Sequence, residues 1–119
     1  MADECRRFLA SFQSAQLATV NEDGRPDISY APVVYLSAAF YLLVSELSAH
    51  TFNMRHQGSA ALLFIEDEAA AAQIYARRRL SFNCRTGVCE RNGETWEQMI
   101  PLFRSRFGPV VDTLARLND

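Results

Sequence analysis

Leu17-Ala18-Thr19-Val20 runs into Asn21-Glu22-Asp23-Gly24, and the chain then returns through Ile28 to Leu36, a stretch rich in β-branched and aromatic residues. A short apolar run, a turn signal whose glycine can take a positive φ, and a β-favouring return together predict a hairpin. Pro32 inside the return cannot donate to a ladder. It therefore marks an edge, a bulge or a place where the backbone faces a ligand.

Outward from this hairpin the periods change. On the N-terminal side Cys5, Phe8, Leu9 and Phe12 recur at helical spacing, with Asp3 and Glu4 where the positive end of a helix favours acids, predicting a helix over 3–14. On the C-terminal side Phe40 to Val44 reads as a third strand, and Ser48 is placed to cap a short helix ending near Gly58. Ala60 to Ile65 is a continuous apolar run, expected to be a fully buried fourth strand. Leu80, Phe82, Cys84 and Val88 alternate with Arg79, Ser81, Asn83 and Arg85 in a long fifth strand, so that strands occupy about 16–90. A helical hairpin over 93–119 follows. Trp96, Met99, Ile100, Phe103 and Phe107 form its first arm, with a kink expected at Pro101; Gly108-Pro109 opens the second, carrying Val110, Val111, Leu114 and Leu117. Strand and helix do not alternate regularly. The expectation is one domain over 1–119, mainly β with flanking helices, built as a small antiparallel barrel.

Composition narrows the function. The 119 residues are 49% apolar with a net charge of −2, which suits one compact domain and offers no basic field for a nucleic-acid backbone. All 12 basic residues are arginine, so no lysine Schiff base can form. Cys5, Cys84 and Cys89 make neither a disulfide framework nor a zinc site, and Cys84 and Cys89, five apart on the fifth strand, are expected on opposite faces, with Cys84 an inert buried thiol. With no signal-peptide pattern and no membrane-length segment, a reduced cytoplasmic location without membrane partners is the expectation.

The most chemically charged stretch lies between the fourth and fifth strands. Glu66-Asp67-Glu68 and Arg77-Arg78-Arg79 flank an alanine-rich bridge. Three adjacent guanidiniums repel one another, an arrangement relieved if one meets a phosphate or carboxylate; a solvated strand end paired with the acids is an equal reading of the same residues. Those acids are expected to serve the arginines rather than a metal. Tyr30 and Tyr35 lie on opposite strand faces, so at most one can stack on a cofactor.

Five segments in order carry a family resemblance: Leu17-Ala18-Thr19-Val20 with Asp23-Gly24-Arg25-Pro26; Ser29-Tyr30-Ala31-Pro32; Ser45-Glu46-Leu47 with His50-Thr51 and Asn53; Ile65-Glu66-Asp67-Glu68; and Ala76-Arg77-Arg78-Arg79-Leu80. Together they resemble the haem-utilisation (HugZ and HutZ) branch of the pyridoxamine 5'-phosphate oxidase-like split-barrel superfamily. The resemblance implies a split β-barrel, a homodimer with its ligand pocket between subunits, and FMN or haem as cofactor. It places Arg77, Arg79, His50, Thr51, Ser29 and Tyr30 at the cofactor. Thr19 and Asp112 become the candidate catalytic residues, Asp112 arriving from the partner subunit. Family members continue past the hairpin into a closing strand and a segment whose histidine ligates haem iron. This sequence stops at Asp119, so the expected barrel lacks that strand, and neither His50 nor His56 lies in that segment, so the axial ligand has no counterpart; three functions stay open: oxidative haem breakdown, an FMN-dependent oxidoreductase, or a non-catalytic haem-binding module.

Overall fold

Alternation is visible in the first strand. In the computed structural model, which describes residues 2–90 and 92–108, β1 (Ser14–Val20) buries Ala15, Leu17 and Thr19 and exposes the residues between them. The turn after it closes on Asn21, whose Oδ1 accepts from the amides of Asp23 and Arg25, each at 2.9 Å, while Gly24 takes the required φ of 81°. β2 (Pro26–Leu36) returns antiparallel, with Thr19 opposite Asp27 and Leu17 opposite Ser29.

β2 serves two partners in turn. Pro26 to Pro32 pair with β1, and Val33 to Leu36 pair with β3 (Ala39–Leu42). Pro32 sits at the handover, where its missing N–H leaves no gap in the ladder, and its carbonyl accepts from the Leu43 amide at 3.2 Å. Beyond it Val33 and Val34 are both buried, one in each of two hydrophobic clusters, because the sheet curls at this point. The β2–β3 turn uses Ser37 and Ala38 at φ 52° and 64°, a two-residue hairpin without glycine.

α2 (Ala49–Gln57) crosses to β4 (Ser59–Ile65), stopped by Gly58 in the left-handed region at φ 71°. β4 lies between β1 and β5 (Arg79–Arg85), giving the order β3-β2-β1-β4-β5 in one antiparallel sheet. α1 (Asp3–Ala10) closes the main cluster through Phe8 and Leu9, which pack with Leu17, Leu62 and Phe64. α3 (Glu94–Phe107) packs Met99 and Phe103 against Val34 and Leu43. The result is a curled half-barrel with flanking helices. Among the described residues no helix is long and apolar enough to cross a membrane.

Several expectations change. The first helix ends at Ala10 rather than residue 14, because Ser11 turns back through its hydroxyl onto the Phe8 carbonyl at 2.6 Å and the Gln13 carbonyl is taken by the Val33 amide. β4 is buried on one face only: Ala60, Leu62 and Phe64 face the core, while Ala61, Leu63 and Ile65 are half-covered on the other side. β5 stops at Arg85, so Val88 and Cys89 lie in the following loop and Cys84 and Cys89 are not two sites on one strand. α3 runs through Pro101 as one helix. The second arm of the expected hairpin, with Val110, Val111, Leu114 and Leu117, lies outside the described residues.

Candidate functional site

Polar side chains gather where α2 covers the inner face of β1 and β2. Thr19 and Asp27 face each other across the ladder, and Ser29 stands one row further along, beside Leu17. α2 lays His50 and Asn53 over them. Ser29 Oγ and His50 Nδ1 are hydrogen bonded at 2.8 Å. The Asn53 carboxamide nitrogen donates to Thr19 Oγ1 at 3.0 Å and to Asp27 Oδ2 at 3.1 Å.

Burial sets the character of each group. Thr19 and Asn53 are 3% and 2% exposed, so their hydrogen bonds form out of water, where an unmet polar group is expensive. His50 is half-buried; desolvation holds its pKa below the ordinary histidine value, and the negative charge of Asp27 opposes that shift. The ring is therefore neutral at physiological pH. Its Nδ1 is engaged by Ser29, and Nε2 has no hydrogen-bond partner among the described residues.

Thr51 has a different task. Its hydroxyl donates to the Ser45 carbonyl at 2.5 Å and its amide to the Ser48 carbonyl at 3.1 Å, so it fastens the loop that leads into α2. Ser48 occupies the N-cap position, but its side chain makes no capping bond. Nearby, Arg55 and Glu46 form a two-pronged ion pair across the start of the helix.

The other candidates stand on the opposite face of the sheet. Tyr30 lies in the row Gln16, Leu63 and Ser81, and Arg79 lies opposite Ile65 on that same side. Tyr30 is 72% and Ile28 79% exposed. Arg79 is exposed and has no acidic partner among the described residues. Arg77 Nε donates to the Glu66 carbonyl at 2.8 Å, and Arg78 sets its guanidinium 4.6 Å from the centre of the Phe8 ring. The expected ion pairs between these arginines and Glu66 to Glu68 are not formed. The acids and arginines meet through backbone instead, the Glu66 amide donating to the Arg78 carbonyl at 2.7 Å, because this bond closes the bridge into a loop and fixes both segments side by side.

One chain thus brings together Thr19, Ser29 and His50, and sets Tyr30 and Arg79 on the reverse face, with Arg77 at the strand exit. Asp112 lies outside the described residues. Asn53 and Asp27 complete the inner cluster; in the sequence Asn53 is a motif residue without a role, and nothing in its spacing shows that one amide bridges two strands. A cavity of about 720 Å³ lies elsewhere, between the edges of β3 and β5 and α3, lined by Phe40, Leu42, Met54, Phe82, Trp96 and Phe103. It is the apolar gap between the two sheet edges, and the polar cluster does not open into it. Among the described residues no group of three His, Cys, Asp or Glu side chains converges on a metal position.

A curled antiparallel half-barrel with a polar cluster under its crossing helix defines a split-barrel protein, and the chain belongs to the pyridoxamine 5'-phosphate oxidase family, whose model matches residues 1–118. Within it, the chain is 37% identical over 116 residues to the protein named heme oxygenase HutZ of Vibrio cholerae, covering 98% of this chain and 66% of that one. The crystal structure of HutZ, described there as a heme storage protein, superposes with a TM-score of 0.90 at 37% identity, covering 98% of this chain and 82% of that chain. ChuZ of Campylobacter jejuni superposes with a TM-score of 0.83 at 33% identity, covering 95% of this chain and 47% of that one. The chain spans just under two thirds of the curated relative's length.

Proposed function

We propose that this chain binds haem between two copies of itself and serves oxidative haem breakdown. The observation that carries the reading is the division of the candidate residues between the two faces of β2: no single copy can set Arg79 and Tyr30 beside Thr19 and His50. A second copy packed against the exposed face of Ile28 and Tyr30 supplies the missing half of each site and covers the apolar surface. The similarity to HutZ, named for heme in both of its descriptions, supports haem as the ligand class.

The residues fit such a ligand. Thr19 offers a buried hydroxyl whose proton has no acceptor among the described residues, and His50 offers a neutral ring nitrogen. Arg77 and Arg79 supply charge for the propionate carboxylates, and Tyr30 and Ile28 a flat apolar wall. Haem, when bound, supplies the iron at which dioxygen reacts. The chain's own part is to orient the ring, pair its carboxylates and exclude water around a small set of hydrogen-bonding groups. The partner subunit's Asp112 joins that set on the strength of the family resemblance.

A flavin reading stays in play because the family is described by pyridoxamine 5'-phosphate oxidase, and an FMN phosphate suits the same arginines. Titration with haemin and, separately, with FMN distinguishes them. A haem site gives a Soret band at equimolar haemin, with affinity weakened about tenfold or more when Arg77 and Arg79 are both changed to alanine. A quenched flavin spectrum with no Soret band assigns the site to FMN. Neither signal sinks both readings. With reductant and dioxygen added, loss of the Soret band marks breakdown, and its persistence marks a storage or delivery module.

A further inference from the structure

Asn53 is the most constrained polar residue of the inner cluster. Asp27 is an acceptor, so the Asn53 atom facing it at 3.1 Å is the amide nitrogen, and that same nitrogen lies 3.0 Å from Thr19 Oγ1. Thr19 Oγ1 therefore receives a hydrogen bond and must send its own proton elsewhere. Among the described residues nothing accepts it, although Thr19 is only 3% exposed. A buried hydroxyl with an unspent proton points to an acceptor that arrives from outside.

We propose that Asn53 is a positioning residue: anchored by Asp27, it makes the Thr19 hydroxyl an obligate donor toward an oxygen brought by the ligand or by a second copy. This rests on the reading that Thr19 faces the bound ligand. The acceptor chemistry is an anionic or carbonyl oxygen, whichever molecule carries it. The charge of Asp27 reaches the site by two routes, through the amide to Thr19 and through space to His50, whose Nδ1 meets Ser29 at 2.8 Å. Asp27 thereby couples the two halves of the cluster, and Asn53 carries its influence to Thr19.

Asn53→Asp keeps the shape and reverses the chemistry: a carboxylate cannot donate to Thr19 and instead takes its proton, turning the donor inward. With haemin as probe, Asn53→Asp is expected to weaken binding about tenfold and move the Soret maximum to the position it has in Thr19→Val. The double variant should match Thr19→Val alone, and Thr19→Ser should behave as native. Asp27→Asn, at an exposed position where folding is not at stake, frees the amide to flip and should reproduce part of the shift. Dimer dissociation without haemin separates the sources: Thr19→Val weakens the dimer if the acceptor is the partner's and leaves it intact if the acceptor is the ligand's.

The proposal is overturned if Asn53→Asp and Asp27→Asn lower the melting temperature while affinity and Soret position stay native, or if the double variant is additive. A native chain that gives no Soret band fails the functional reading instead. In that event the ligand-free NMR spectrum still decides the positioning claim. One Asn53 carboxamide proton should shift in Thr19→Val and the other in Asp27→Asn, both exchanging slowly in the native chain; insensitive, rapidly exchanging protons overturn it.

Discussion

Arg106 ties the last described helix to three other elements. Its guanidinium donates to the carbonyls of Val33 at 3.1 Å, Phe12 at 2.9 Å and Ala10 at 3.3 Å, joining α3 to β2, to the connection that leads into β1 and to the end of α1. Arg106→Met keeps the apolar stem and removes all three bonds. The Val33 backbone belongs to a residue 2% exposed, so its carbonyl regains little water, whereas Ala10 is exposed and its carbonyl is rehydrated almost fully. Counting about 1 to 1.5 kcal/mol for each of the two covered bonds and a few tenths for the third gives a loss of about 2–3 kcal/mol. For a domain of this size that lowers the melting temperature by about 10 °C in scanning calorimetry. Arg25→Met, at the exposed hairpin turn, should move it by no more than about 2 °C. An Arg106→Met protein melting within 2 °C or so of native would mean that these carbonyls are satisfied equally well by solvent, and the clamp would be discarded.

His50 gives a pH signature. Its folded pKa lies below the ordinary value of about 6.5, so the unfolded chain binds the proton more readily. Stability is full above that value and declines as pH falls below it toward the folded pKa; urea midpoints across this range should flatten in His50→Gln and steepen in Asp27→Asn, and an unchanged profile in both contradicts the assignment. On the outer face, Ile28→Asp or Tyr30→Asp should convert a dimer to a well-folded monomer by light scattering, since both side chains are largely exposed in the single chain; a persistent dimer moves the interface elsewhere. At the β2–β3 turn, Ser37→Asn with Ala38→Gly relieves two left-handed non-glycine residues and should add about 1–2 kcal/mol by urea unfolding, with no gain meaning that the turn is unstrained.

The barrel was legible wherever local chemistry and burial agree. The Asn21 to Gly24 turn announces itself because its oxygen and its glycine do the turning, and the alternation in Leu80, Phe82 and Cys84 survives because one face of β5 meets the core. Ser37 and Ala38 carry no turn signal, since the sheet's curl, not residue preference, forces their backbone. The run Ala60 to Ile65 reads as doubly buried because every residue in it is apolar, whereas the fold covers fully only the face of Ala60, Leu62 and Phe64. At the site, His50 and Ser29 were marked by resemblance and do meet. Asn53 was not assigned, as its two partners, Thr19 and Asp27, lie 34 and 26 residues away and converge only through the hairpin register. The pairing foreseen between Glu66 to Glu68 and the arginines fails because backbone bonds already fix those segments.

Whether two copies together complete the ligand site is decided by subunit complementation. Haemin binding is measured for a chain carrying Arg77→Ala with Arg79→Ala, for a chain carrying Thr19→Val with His50→Ala, and for the two refolded together. Each alone should bind weakly. In the mixture half of the dimers are mixed and each holds one intact site, so about one site in four regains native affinity. A mixture no better than its components would mean that two copies do not share these four residues in one site.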